Sequence, residues 1–275
     1  MIDYLLIGHM TADLTPGGRK AGGTVSYAAR TAAAFGLRVG LLTSATVDEP
    51  LLDTLRPYAE IRSLPAAETT TYENIYGPTG RTQYVRGVAA PIRPEDIPAD
   101  WLDAPLVHLA PIAGEVDPQV AHSFHDKTVL LTLQGWLRRW EADGRVHFRR
   151  WFDADILKSV NIAVFSEEDI VEAPDMEAAF AASVDHLLLT RAEKGGTYYH
   201  KGTPTNYSTP RVELVNATGA GDVFAAAVLA SLPALGHDLN KAIQVAAQLG
   251  AICVTRYDID GTPTPDEVRQ AIAAV

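Results

Sequence analysis

Short apolar runs, rich in leucine and β-branched residues, alternate along the chain with longer Ala-rich stretches whose apolar positions recur at helical spacing. The short runs fall at residues 2–8, 38–44, 106–110, 128–133, 162–165 and 186–191 and predict buried strands. The longer stretches predict helices at 24–35, 49–58, 176–183, 220–232, 240–255 and 265–274. Strand and helix in alternation give an α/β fold with a mostly parallel central sheet covered by helices. Residues 69–85 break this rhythm: two Thr/Tyr-rich arms flank Gly77-Pro78-Thr79-Gly80, which predicts a β-hairpin. There is no internal repeat and no low-complexity linker, so 1–275 reads as a single domain.

Composition narrows the partners more than the fold. The chain has 275 residues, 47% of them apolar and 21% charged, enough to bury a full core. Its net charge of −11 sets a field that repels nucleic acid backbones, and no apolar run approaches the length of a membrane helix. Neither nucleic acid nor membrane is expected as a partner. The single cysteine, Cys253, cannot form an intramolecular disulfide and sits in an apolar setting, and the N-terminus carries no signal pattern. These features fit a cytoplasmic protein.

Candidate chemistry centres on Asn216-Ala217-Thr218-Gly219-Ala220-Gly221-Asp222, placed just before a helix-like run. Gly219 and Gly221 permit close backbone approach, and the first N–H groups of a helix lack intrahelical partners, so this segment can cradle an anion. Asp222, in the first turn, would stand beside that anion and accept a proton from an attacking hydroxyl. A flexible loop capped by Thr218 is the competing reading. Elsewhere, residues 17–24 nearly mimic a phosphate-binding P-loop, but Gly23 stands where the lysine is required.

Together with Gly22-Gly23-Thr24-Val25-Ser26-Tyr27 and the Ala-rich run after it, the 216–222 segment resembles the paired signatures of the ribokinase-like (PfkB) carbohydrate kinases. The likeness extends to Thr190-Arg191-Ala192-Glu193-Lys194-Gly195-Gly196, similar to that family's nucleotide loop, and to Gly261-Thr262-Pro263. It implies a ribokinase-like three-layer sandwich, and an ATP- and Mg2+-dependent kinase acting on a hydroxyl of a small sugar, cyclitol or nucleoside. In that reading Asp222 is the base and Gly219, Ala220 and Gly221 form the phosphate cradle. Asp13, Gly22, Gly23, Tyr27, Asn74 and Arg138 hold the acceptor, Ser166, Thr190, Glu193 and Gly195 the nucleotide, and Asp169 the metal. The hairpin, about 69–86, becomes a lid over the acceptor, with Tyr72, Tyr76 and Tyr84 available to stack on a base or sugar face. About 14 residues separate Gly8 from Gly23, so the lid is expected to be reduced to that one hairpin. Compact length and the segment Gln134-Gly135-Trp136-Leu137-Arg138 point to a small inositol-kinase-like branch.

Several positions depart from the family pattern and keep alternatives open. Asn216 replaces an aspartate that helps form a monovalent-cation site in many relatives, Thr132 stands where aspartate is usual, and Ala192 replaces a loop glycine. Asp13 also reads as a turn or cap residue, and Ser166 with Asp169 as an ordinary helix cap. Arg138 opens an Arg/Trp-rich stretch, 138–151, that also reads as solvated surface. These departures motivate a noncatalytic nucleotide- or sugar-binding relative as the rival function. An exposed hairpin edge invites pairing with a second copy, a homodimer through the lid.

Overall fold

Each of the six apolar runs forms a strand close to its expected limits. The structure, a computed structural model, describes residues 1–77 and 80–275; the turn at Pro78 and Thr79, and the side chains of Tyr76 and Arg81, lie outside the described residues. The chain opens with β1 (Tyr4–Ile7), β2 (Thr11–Thr15), β3 (Gly18–Gly22), α1 (Thr24–Ala34), β4 (Val39–Ala45) and β5 (Ala59–Pro65). It continues through β6 (Thr71–Gly77), β7 (Gly80–Gly87), β8 (Leu106–Leu109), β9 (Thr128–Thr132), β10 (Arg138–Trp140), β11 (Val146–Phe148), α2 (Ala154–Leu157) and β12 (Ile162–Ser166). The last part holds α3 (Met176–Ala181), β13 (His186–Thr190), β14 (Gly196–His200), β15 (Thr203–Tyr207), α4 (Ala220–Ser231), α5 (Leu239–Cys253) and α6 (Pro265–Ala273).

Nine strands make the main sheet in the order β15-β14-β13-β12-β9-β8-β1-β4-β5, parallel except at β14 and β15. β1 shows why its run is continuously apolar. Tyr4 and Leu6 enter the core beneath α1, α4 and α5, while Leu5 and Ile7 enter the core on the opposite face. Both faces are covered, which makes three layers. No helix in the described residues is long and apolar enough to cross a membrane.

Strand order also places the crevice. β1 pairs with β4 on one side and β8 on the other, so the connections diverge there and leave a gap beyond the carboxyl ends of β1 and β8. Gly8 keeps that junction tight, because a Cβ there would lie 2.3 Å from the Ala110 carbonyl oxygen.

A second sheet, the one expected as a lid, is larger than the sequence suggests. It is a four-stranded sheet, β3-β2-β6-β7, rather than one hairpin. The short segment after β1 accommodates two extra strands because each is five residues long and they turn at Pro16-Gly17. β3, Gly-Arg-Lys-Ala-Gly, has no apolar alternation to reveal it; as an edge strand it is held through ion pairs instead. On the far side of the lid, Val85 N–H donates to the Gly144 carbonyl at 2.8 Å and Tyr84 bridges to Arg145. The hairpin edge expected to be open to a second copy is therefore met there by the β10–β11 hairpin.

The lid is pinned at its base by buried polar groups. His9 Nδ1 contacts Thr70 Oγ1 at 2.7 Å, its Nε2 contacts the Ala90 carbonyl at 2.9 Å, and Ala89 N–H donates to Thr70 Oγ1 at 2.9 Å. Glu115, also buried, accepts the N–H groups of His9, Ile112 and Ala113. Each bond satisfies a group that would be costly to leave unpaired there. One expected helix is absent: 49–58 forms only a 3-10 turn, Pro50–Thr54. Glu49 at its start accepts from Thr69 and pairs with Arg19 of the lid, so the segment serves as a lid support and runs on directly into β5.

Candidate active site

Two helices begin at the crevice, and both begin on glycine. α1 is preceded by Gly23, with φ +78, and α4 by Gly219, with φ +84 in the left-handed region. At neither start does a side chain cap the helix. The two starts face each other: a Cβ on Gly219 would lie 2.1 Å from the Tyr27 ring, and the Thr24 hydroxyl stands beside the Asp222 carboxyl. The amides opening α4 are largely unpaired among the described residues. Ala220 N–H makes a long 3.4 Å contact to the Ala217 carbonyl, while those of Gly219, Gly221 and Asp222 have no partner among the described residues. A Cβ on Gly221 would meet nothing within 4 Å, so the space above the cradle is open. Two positive helix ends and free amides favour an anion at this point.

Asp222 is half-buried, and burial raises its pKa from 3.8 to about 6. Thr24 and Arg138 pull it down, while the negative charges of Asp169 and Asp13 push it up. Four groups predicted from separate parts of the chain thus lie within electrostatic reach of one another. A carboxyl with its pKa near neutrality is suited to accept a proton and return it.

Asp13 lies on β2 and accepts from Thr11 Oγ1 at 2.8 Å. Its other oxygen fills the space that Gly22 leaves empty, 2.2 Å from where a Cβ would be. The glycine pair thus has two separate tasks, Gly22 admitting the carboxylate and Gly23 supplying the left-handed turn into α1. Tyr27 is buried against Gly219; burial raises its pKa, with Asp222, Cys253 and Asp13 adding to the rise. Its ring packs directly against the turn that opens α4.

Arg138 reaches inward from β10 while Arg139, Arg149 and Arg150 are exposed; Trp140, Phe148 and Trp151 pack against the core, so the Arg/Trp-rich stretch is solvated surface only in part. Among the described residues its buried Nη1 has no hydrogen-bond partner. Tyr72 lies next to it, and burial raises that phenol to about 12 against the lowering effect of Arg138. The Tyr72 hydroxyl donates to the Ile112 carbonyl at 2.7 Å and the residue is 2% exposed. Tyr84 lies under the Arg86 guanidinium, 4.5 Å from its ring centroid. The stacking role expected for these hairpin tyrosines is therefore not met at Tyr72, which is core, nor at Tyr84, which is already covered; the Tyr76 side chain lies outside the described residues. Asn74 shares the Asp13 face of the lid but is engaged with Gln83 Nε2 at 3.1 Å.

Of the expected metal and nucleotide residues, Asp169 lies within electrostatic reach of Asp222. Asp169 Oδ2 accepts Ser166 N–H at 2.9 Å and Ser166 Oγ accepts Glu168 N–H, a reciprocal cap. Gln134 reaches the other Asp169 oxygen at 3.5 Å. The cap reading is thus realised, yet Asp169 also acts on Asp222. Among the described residues no group of three or more metal-ligating side chains occurs. A single carboxylate suits Mg2+, which retains most of its waters.

Thr190 ends β13, and Gly195, with φ +86, packs its Cα against the Tyr207 carbonyl. Glu193 is exposed in the turn between them. Ala192, the replaced glycine, has φ +47, a region that costs a non-glycine residue about 1 kcal/mol. Ala192→Gly is accordingly expected to leave melting temperature unchanged or raise it by about 2 °C, by thermal denaturation.

Sequence reasoning did not identify Thr24 as an Asp222 neighbour, although it follows directly on the glycine pair. Nor did it find a chain of polar contacts behind the cradle: Lys20 Nζ to Asp258 Oδ2 at 2.8 Å, Asn216 Nδ2 to Asp258 Oδ1 at 3.2 Å, and Thr218 N–H to Asn216 Oδ1 at 2.7 Å. No local pattern connects residues so far apart in the chain.

The fold is of the ribokinase-like class. Residues 153–266 match the pfkB family carbohydrate kinase model. The cytidine kinase of Thermococcus kodakarensis is 27% identical over 274 aligned residues, covering 91% of this chain and 94% of its own. A pyrophosphate-dependent kinase in the ribokinase family, solved with a pyrophosphate analog and myo-inositol, superposes with a TM-score of 0.81 at 21% identity over 97% of this chain and 99% of that one. Ribokinase from Thermotoga maritima gives 0.77 at 17% identity, covering 99% and 100%. The family model thus matches the C-terminal part of the chain, and the likeness to the solved kinases over nearly its whole length is one of fold.

Proposed function

We propose that the protein is a kinase that transfers the γ-phosphoryl group of ATP to a hydroxyl of a small sugar, cyclitol or nucleoside, with Asp222 as general base. The observation that carries this reading is the free α4 amides standing beside a carboxyl raised to about 6 by burial. Asp13 and the lid hold the acceptor so that one hydroxyl faces Asp222. Asp222 takes the hydroxyl proton as the oxygen attacks phosphorus in line; the new O–P bond forms, the bond to ADP breaks, and the proton remains on the carboxyl. Charge growing on the transferred oxygens is met by the amides of Gly219, Gly221 and Asp222 and by Arg138. Asp169 would order the water shell of Mg2+, which neutralises donor phosphates when bound. Ser166, Thr190, Glu193 and Gly195 would border the donor.

The cytidine kinase likeness supports a nucleoside acceptor, while the occupied hairpin tyrosines support one without a stacked base. Phosphoryl transfer assayed with ATP and with pyrophosphate, each against a panel of sugars, cyclitols and nucleosides, tests the reading. Transfer from ATP to one acceptor class is expected. Binding without transfer from either donor would favour the noncatalytic alternative, and transfer from pyrophosphate alone would replace the donor.

Arg138 supplies a separate prediction. Arg138→Met is expected to lower kcat about 100-fold without lowering melting temperature, since it removes a transition-state donor and also a buried unpaired guanidinium N–H. Steady-state kinetics and thermal denaturation check the two halves.

A further inference from the structure

Lys20 lies on β3 directly opposite Asp13, so both side chains leave the same face of the lid. That face turns toward the body of the protein, where Lys20 meets Asp258. Asp258 has φ +48, a left-handed backbone conformation in a residue other than glycine. Such strain is retained where surrounding contacts fix it. Its two carboxylate oxygens are divided: Oδ2 takes the lid ammonium, and Oδ1 takes the Asn216 amide. Asn216 in turn receives the N–H of Thr218, the residue before the left-handed Gly219. The backbone of this loop is anchored independently, Val215 and Asn216 N–H both donating to the Val254 carbonyl at 2.8 and 3.1 Å. What the side-chain path adds is a connection from the acceptor-holding sheet to the turn that aims the α4 amides.

We infer that Lys20 is a positioning residue: a latch carried by the lid that, through Asp258 and Asn216, orients the 218–219 turn when the lid is closed. This deepens the proposed kinase reading and rests on it for its consequence in turnover. Arg19, its neighbour, points to the opposite face and is bound to Glu49 at the lid base. The two adjacent cations therefore have different tasks, one securing the support and one reaching the phosphate loop.

Lys20 and Asp258 are partly exposed, with side-chain accessibilities of 55% and 37%, so the pair adds little to stability. The latch can shift the loop only by the energy of this contact, which limits its effect on turnover to about threefold to fivefold. A simple structural role would act on melting temperature instead.

Lys20→Ala, Lys20→Arg and Lys20→Glu, each with intact Asp13 and Asp222, test the latch. Lys20→Ala should lower kcat about threefold to fivefold, Lys20→Glu more, and Lys20→Arg should recover most of the loss, with melting temperatures within about 2 °C of the parent. Raising salt should narrow the gap between parent and Lys20→Ala, because exposed charges are screened. Hydrogen exchange on the unliganded protein gives a readout independent of turnover: amides 218–223 should exchange faster in Lys20→Ala than in the parent while those of α5 stay unchanged. Parent-like exchange at 218–223 in both Lys20→Ala and Lys20→Glu would overturn the latch. If the parent transfers no phosphoryl group but the exchange difference appears, the latch stands and the kinase reading falls.

Discussion

Asp222→Asn is expected to lower phosphoryl transfer by about 100- to 10,000-fold while making the protein more stable at pH 8. The loss follows, on the proposed reading, from removing the carboxylate that stands beside the free α4 amides. The gain follows from linkage. The folded-state pKa of Asp222 is about 6 against 3.8, so proton binding favours the folded state. Its contribution is fully present below 3.8 and is lost as pH rises through 6, where an ionised carboxylate must stay buried. Asparagine removes that cost, about 1–2 kcal/mol after allowance for partial solvent screening. Thermal denaturation should show Asp222→Asn melting a few degrees above the parent at pH 8, with the gap closing toward pH 4. Equal loss of activity and stability would instead mark Asp222 as a structural residue.

Gly219→Ala should damage both fold and function. The left-handed φ of +84 costs alanine about 1–2 kcal/mol, and its Cβ would overlap the Tyr27 ring at 2.1 Å, adding about 1–3 kcal/mol. Relief requires Tyr27 or the turn to move, and a displacement of the amides by about 1 Å is enough for a loss near 100-fold in kcat. Denaturant unfolding and steady-state kinetics should show both effects. The same substitution at Gly221, where a Cβ meets nothing, should leave stability close to the parent, so the pair separates backbone demand at Gly219 from open space at Gly221.

The layered sheet was legible because its central strands are buried on both faces and leave uninterrupted apolar runs. Edge and lid strands were harder to read. β3 is Gly-Arg-Lys-Ala-Gly and β15 is exposed along most of its length, so neither carries a hydrophobic period. Their placement depends on pairing and ion pairs with distant residues. Within the site, the glycine signatures revealed the helix starts because unusual dihedrals and close approach demand that residue. Asp13, Arg138, Asp169 and Asp222 were named separately; their convergence is a property of strand order that no single segment encodes. Tyr72 shows the reverse case. Its place on a hairpin resembled an exposed aromatic, but the lid turns that face inward and Ile112 takes its hydroxyl.

The central claim is that a carboxyl held near neutrality by burial beside the α4 cradle deprotonates the acceptor. The dependence of kcat/KM on pH measures this most directly, because it reports the ionisation of the free enzyme's base. Activity should fall tenfold per pH unit below about 6, following one proton. A profile that stays level down to pH 4.5 would contradict the assignment of Asp222 as the base.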